Sequence, residues 1–203
     1  MRLSWMLSGL TLALLAGPLH AADSPQAAVA EDKAEVLEER VVEDATPPKP
    51  RETLSPGEVQ AVDPAGQSPM DDSITCLART LYWEAKGTDA RDMAAVASVV
   101  LNRLGHDGFP DSICGVVKQG VERGSCQFSW WCDGRPDQVE EAQRYAMAKE
   151  IARKALNQQL EDSTGGALYF HDRHVLPDWA KAYRKTAETS HFIFYRPNQA
   201  LAH

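Results

Sequence analysis

The sequence predicts a mainly helical α+β domain with a small antiparallel β-ribbon, and three observations carry that expectation. Apolar residues recur at helical spacing between Ile74 and Leu104, and a further helical stretch follows Asp137. Two short aromatic-rich runs, 167–171 and 191–195, are bounded by turn residues as strands are. Fourteen of the fifteen aromatic residues and all four cysteines lie from residue 71 onward, whereas residues 22–70 hold none of either and seven of the twelve prolines. One folded domain of about 130 residues, long enough to bury its own core, therefore follows a segment of different character.

The chain opens with Met-Arg, the mostly apolar stretch Leu3 to Ala16, Gly17-Pro18 and then small residues. One positive charge, an apolar run too short to span a bilayer comfortably and a small-residue cut site read as a secretory signal peptide over 1–21. Export places the mature protein in the periplasm or cell envelope, with no transmembrane span after cleavage. Residues 22–70 carry eleven acidic and four basic residues with few large apolar groups, so they read as a disordered, acidic, Pro-rich linker in which 31–43 has some helical potential. Residues 71–203 are the catalytic-domain candidate. Local charges of -7 over 22–70 and -2 from 71 onward leave neither part basic enough to neutralise phosphates, which excludes a nucleic-acid binder working through a basic face.

Within the domain, Asp72-Ser73 precedes Ile74, Leu77, Ala78, Leu81 and Ala85, a helix of about three turns that Gly87 stops. Asp89 caps a second helix through Leu104, apolar around most of its circumference and so expected to run through the core. A shorter helical piece is expected from Phe109-Pro110-Asp111 to about Gln119, and a loop over 120–136. Asp137 with Glu140 three residues on resembles a capping box and is expected to open a long helix to about Leu160. Thr164-Gly165-Gly166 breaks it before the two strand candidates, with a helical turn between them at Pro177-Asp178-Trp179.

Cys76, Cys114, Cys126 and Cys132 are even in number and confined to the domain, and an exported chain meets an oxidising compartment, so two disulfides are expected. Of the three pairings available, Cys126–Cys132 closes a short loop and leaves Cys76–Cys114 to tie the first helix to a later segment. No CxxC spacing supports a metal site.

Glu84 stands out chemically. At 100° per residue it falls about 80° from Ile74 and about 20° from Leu77, at the edge of the buried stripe. It also lies in the last helical turn, where the dipole disfavours negative charge. Partial burial and the dipole both raise a carboxyl pKa, which suits a general acid near neutral pH.

Five blocks of sequence occur in an order that resembles the SleB/CwlJ family of cell-wall hydrolases, whose spore cortex-lytic members name it. They are Cys76 to Gly87 around Trp83-Glu84, Ala95 to Arg103, Cys126 to Gly134, Tyr169-Phe170-His171 with Val175 to Trp179, and His191 to Tyr195. The resemblance covers about residues 73–196. It implies a lysozyme-like fold acting on the glycan strands of peptidoglycan, with Glu84 as the catalytic carboxyl and no cofactor. The family's lytic transglycosylases need one carboxyl group, which protonates the glycosidic oxygen and then draws the proton from the muramyl 6-hydroxyl. A paired-carboxylate hydrolase needs a second, for which Asp133 is the one candidate to come close in space. Lys86, Thr88 and Met93 depart from the residues common in the family at those positions. Whether an accessory protein activates the enzyme is left open.

Gln127, Ser129, Trp130 and Trp131 form a candidate sugar-binding group, because an indole face stacks on a sugar ring while amide and hydroxyl groups read its oxygens. If the loop is extended, the two adjacent indoles point to opposite sides, with Trp130 toward the cleft. Tyr169, His171 and His191 flank the strands as further candidates for the same cleft. Two other classes use the same residues: a zinc amidase or peptidase through His171, His174, His191 and Glu84, and a non-catalytic wall-binding module. His-x-x-His on a strand and loop is a poor ligand pair, since residues three apart face the same way only on a helix, and no HExxH occurs.

Overall fold

The computed structural model describes residues 24–198, so the signal-peptide reading over 1–21 lies outside the described residues. The first helix expected in the domain, here α3, spans Ser73–Glu84; the Asp72 carboxylate accepts from the Thr75 N–H at 2.8 Å and starts it. α4 spans Ala90–Arg103, and the Asp89 carboxylate caps it by accepting from the amides of Arg91 and Asp92. Its side chains from Ala95 to Val100 are all buried, in agreement with its apolar circumference. α5 is shorter than expected, Ile113–Lys118, because Ser112 and not Asp111 provides the cap.

The long helix α6 spans Ala142–Leu156 and so begins five residues after the expected Asp137. The reason is tertiary. The Asp137 carbonyl accepts from Arg79 Nη1 at 2.9 Å and from Trp83 Nε1 at 3.2 Å, and the Tyr82 hydroxyl accepts from the amides of Glu140 and Glu141. These bonds from α3 hold 137–141 out of the helix, and the capping box does not form. At the other end α6 stops at Asn157, whose side chain bonds both the N–H and the C=O of Leu54.

Of the segment read as a disordered linker over 22–70, the described residues 24–70 differ most from their compositional reading. Pro25–Val42 form α1 and Pro56–Ala61 form α2. Ala27, Ala30, Ala34 and Leu37 recur at three- and four-residue intervals and are all buried, so α1 packs through a stripe of mostly small side chains. Close approach of backbones replaces the large apolar groups whose scarcity argued for disorder. Glu38 accepts from the Ser73 hydroxyl and the Ile113 amide, Lys33 pairs with Glu58 at 2.6 Å, and Lys149 donates to the carbonyls of Gln60 and Val62.

A buried ionic knot joins this arm to the domain. Arg79 and Asp63, 3% and 4% exposed, meet at 3.0 Å; the Tyr145 hydroxyl donates to the same carboxylate, and Arg79 Nη2 donates to the Ser68 carbonyl. Burial pushes the Asp63 carboxyl up, but the Ser68 N–H, the Tyr145 hydroxyl and the Arg79 charge outweigh it and hold the group below the usual carboxylate range.

The sheet has three antiparallel strands, β1 (Tyr169–Asp172), β2 (Tyr183–Glu188) and β3 (Phe192–Pro197), in the order β1-β3-β2. β1 and β3 are the expected ribbon, with Phe170 opposite Phe194. β2 is a polar edge strand with a bulge between Lys185 and Ala187, which breaks the alternation that would reveal it. Phe170, Phe192 and Phe194 turn toward the helical core. The C-terminal end of α4 fixes the sheet: Asn102 Nδ2 donates to the Ala167 carbonyl and Arg103 Nε to that of Leu168.

Both disulfides, Cys76–Cys114 and Cys126–Cys132, are present, with Cα separations of 5.3 and 6.0 Å. The first closes a span of 38 residues between α3 and α5. Replacing Cys76 and Cys114 together by alanine is expected to cost about 2–4 kcal/mol, read from denaturant midpoints of oxidised wild type and variant. Equal midpoints would show that the cross-link adds nothing.

Candidate active site

Glu84 is the last residue of α3. Ala85 closes the helix and Gly87, at φ +86°, turns the chain away in a conformation that favours glycine. Arg144 Nη2 donates to the carbonyls of Ala85 and Thr88 and holds that turn from behind. The Glu84 side chain is half-buried and opens into a cleft of about 640 Å³. Among the described residues no hydrogen bond reaches its carboxyl group. Burial raises its pKa to about 7, partly offset by the positive charge of Arg103.

One wall of the cleft comes from the disulfide-closed loop. Ser129 and Trp130 line the cleft, whereas Gln127 and Trp131 do not. Ser129–Trp131 form a 3-10 turn instead of an extended stretch, so adjacent side chains diverge by about 120° and the expected inward/outward division does not hold. Trp130 both packs, at 7% exposure, and borders the cleft, with its Nε1–H buried and unpartnered; Trp131 is half-buried with Lys118 Nζ 5.4 Å from its ring centroid. Gln127 is exposed, and its amide donates to the Gln119 carbonyl.

The facing wall, 133–140, escaped the sequence reading apart from Asp133. Lys86 pairs with Glu140 at 2.6 Å and lies 4.5 Å from the Trp83 ring centroid. Asp133 accepts from the Arg135 amide at 2.8 Å, and burial followed by the nearby Asp133 charge pushes the Asp137 carboxyl up. The one available signal was the density of charge in Asp133-Gly-Arg-Pro-Asp-Gln-Val-Glu140, which the capping-box pattern masked.

Tyr169, His171 and His191 do not line this cleft. Tyr169 and His171 lie on the sheet face away from the phenylalanines, where His171 stacks on Tyr195 and contacts Trp179, and its Nε2 meets the Tyr195 hydroxyl at 3.1 Å. His191 Nδ1 is 2.6 Å from the buried Asp92 carboxylate, a hydrogen bond that fastens the start of β3 to the first turn of α4. His174 is paired with Asp172. Among the described residues no three His, Cys, Asp or Glu side chains are arranged to hold a metal, and no helix is long and apolar enough to cross a membrane.

A helix-terminal carboxyl with a raised pKa, set in an open cleft of an α+β domain, has the properties that a general acid requires. More specifically, residues 87–195 match the family model for cell wall hydrolases, and the chain belongs to that family. The match begins just after Glu84. The chain is 35% identical over 136 residues to the spore cortex-lytic enzyme of Halalkalibacterium halodurans, covering 66% of this chain and 33% of that protein. It is 33% identical over 141 residues to the spore cortex-lytic enzyme of Bacillus subtilis, covering 68% and 37%. It thus spans about a third of the length of these curated relatives. The solved catalytic domain of the germination-specific lytic transglycosylase SleB from Bacillus anthracis aligns with a TM-score of 0.50 and 26% identity, covering 64% of this chain and 98% of that one. The mainly helical, lysozyme-like α+β fold expected from the sequence is the fold of this chain.

Proposed function

We propose that this protein cleaves peptidoglycan glycan strands between MurNAc and GlcNAc, as a lytic transglycosylase that uses Glu84 alone as acid and then base. The observation that carries this reading is the Glu84 carboxyl: free of hydrogen bonds among the described residues, facing an open cleft, and raised by burial to a pKa of about 7. Its proton passes to the glycosidic oxygen as the bond to the muramyl anomeric carbon breaks. The resulting carboxylate then takes the proton of the muramyl 6-hydroxyl, whose oxygen bonds to that carbon. The product is a 1,6-anhydro ring; no water is consumed and the acid is regenerated. Trp130 supplies an apolar wall, and Ser129 an exposed hydroxyl, for the bound sugar. Since peptidoglycan lies outside the cytoplasmic membrane, this work follows export.

A hydrolytic outcome has one observation in its favour, the presence of Asp133 and Asp137 in the same cleft. Mass spectrometry of fragments released from purified sacculi separates the readings. Anhydromuramyl ends are expected; reducing muramyl ends would show hydrolysis, and free stem peptides an amidase. The working form is the protonated acid, so kcat/KM is expected to fall as pH rises through about 7. A rate that instead increases steadily from pH 6 to 9 would oppose a protonated Glu84.

A further inference from the structure

One wall of the cleft leans on a part of the chain that precedes the family match over 87–195. After α2 the backbone makes a turn over 63–68 that a single residue organises. The Asp63 carboxylate accepts from the amides of Gln67 and Ser68 at 2.7 and 2.8 Å, and its carbonyl accepts from the Gly66 amide at 3.2 Å. Gly66, at the tip, is buried and takes φ +65°, in the left-handed region. Its carbonyl accepts from the Val139 amide at 3.0 Å. A β-carbon on Gly66 would overlap that of Val139 and come within 2.5 Å of Val139 Cγ2. The two segments thus meet at a spacing that only glycine permits, and Val139 lines the cleft. Anchors from α3 hold the wall on either side of it: Arg79 and Trp83 donate to the Asp137 carbonyl, and the Tyr82 hydroxyl accepts from the Glu140 amide. Between them the Val139 amide goes to Gly66.

We propose that Gly66 is a positioning residue for glycan binding: the turn it permits seats Val139 and so sets how far the 137–140 wall stands from Ser129 and Trp130 across the cleft. This rests on the glycan strand binding in the Glu84 cleft, and it makes the N-terminal arm a working part of that cleft. Glycine serves at position 66 for two separable reasons, the left-handed backbone and the contact with Val139. Asparagine meets the first, because it is the side chain most at ease at positive φ after glycine, but its β-carbon violates the second. Gly66→Asn therefore pushes Val139 away while leaving the turn its conformation. Asp137 and Gln138 share the wall and move with Val139, whereas Glu84 is carried by α3 and stays in place. The effect falls on binding and spares the proton transfer.

Kinetics of the full chain on solubilised glycan strands test this. Gly66→Asn is expected to raise KM about 10-fold while kcat stays within about twofold of wild type, the pattern of lost uniform binding. Val139→Gly in the same background removes the overlapping β-carbon and should return most of the KM, which a second destabilising change would not do for a merely unstable protein. The Trp83 indole N–H, 3.2 Å from the Asp137 carbonyl, reports the wall without turnover. Its NMR resonance, assigned by its loss in Trp83→Phe, should move in Gly66→Asn and return in the double variant. Wild type supplies a measurement that no folding defect can blur: the Val139 amide should exchange with solvent as slowly as those of Gln67 and Ser68. An unprotected Val139 amide, a loss confined to kcat, or a raised KM that Val139→Gly does not relieve would overturn the proposal. A moved Trp83 resonance with an unchanged KM would overturn it through the reading it rests on, by showing that the glycan binds elsewhere. Retained turnover in Glu84→Gln would relocate the acid and leave all of these readouts standing.

Discussion

Glu84→Gln is expected to lower muropeptide release at least ~100-fold, the usual scale of general acid–base catalysis, in a protein that stays folded. The amide keeps the shape of the side chain but neither donates a proton to the glycosidic oxygen nor retrieves one from the 6-hydroxyl. The same change has a second, opposite signature. A carboxyl whose pKa rises from 4.5 in the unfolded chain to about 7 in the native state binds its proton more tightly when folded. Its contribution to stability is therefore fully present below about pH 4.5 and is lost as pH rises through 7. At pH 8 the wild type holds a desolvated carboxylate that the glutamine variant lacks. The variant should melt at an equal or higher temperature at pH 8, and its margin over wild type should shrink toward pH 5. Retention of more than a tenth of wild-type turnover would place the acid elsewhere; a variant that melts much lower at pH 8 would contradict the burial argument.

Arg79→Met is expected to give the largest loss of stability, about 3–5 kcal/mol, because it strands a buried carboxylate instead of removing a neutral contact. Asp63 would keep its backbone donors and the Tyr145 hydroxyl but lose its countercharge, and the carbonyls of Ser68 and Asp137 would each lose a donor. The companion variant Asp63→Asn in the Arg79→Met background removes the stranded charge and should recover part of the loss, so a double-mutant cycle read by denaturant midpoints checks the assignment. Strict additivity of the two substitutions would show that the pair does not act as a unit. Asp63 is held below its ordinary pKa, so its part of the stability is present at neutral pH and lost as pH falls through its folded value. Arg79 also fixes the Asp137 carbonyl, so the same substitution should loosen the 133–140 wall and raise KM.

α3 and α4 were legible because their signals are local: Asp72 and Asp89 cap them, Gly87 and Gly105 follow them, and the apolar spacing between is helical. The position of Glu84 at the edge of the buried stripe followed from the same periodicity. Features that depend on distant partners were not legible. Nothing near Asp137 announces that its carbonyl is claimed by Arg79 and Trp83, so a sound capping pattern gave the wrong start for α6. The alanine stripe of α1 has little hydrophobicity by composition and acquires meaning only against the surfaces it covers. The polar edge strand β2 has no alternation to read across its bulge. In the site, the aromatic loop was found but not its 3-10 turn, and the 133–140 wall was concealed by the helix expected there.

The docking of the N-terminal arm also sets an order in time. Leu54 is held by Asn157, a residue 103 positions further along the chain. At translation rates of roughly 5–20 residues per second, the arm waits about 5–20 seconds for that partner to be synthesised. The Lys149 ammonium that donates to the carbonyls of Gln60 and Val62 arrives only slightly earlier, 87 to 89 residues behind them. Throughout that interval an acidic arm with few large apolar groups stays solvated without exposing a sticky surface. The composition that looked like permanent disorder thus suits a segment made before the partners that hold it.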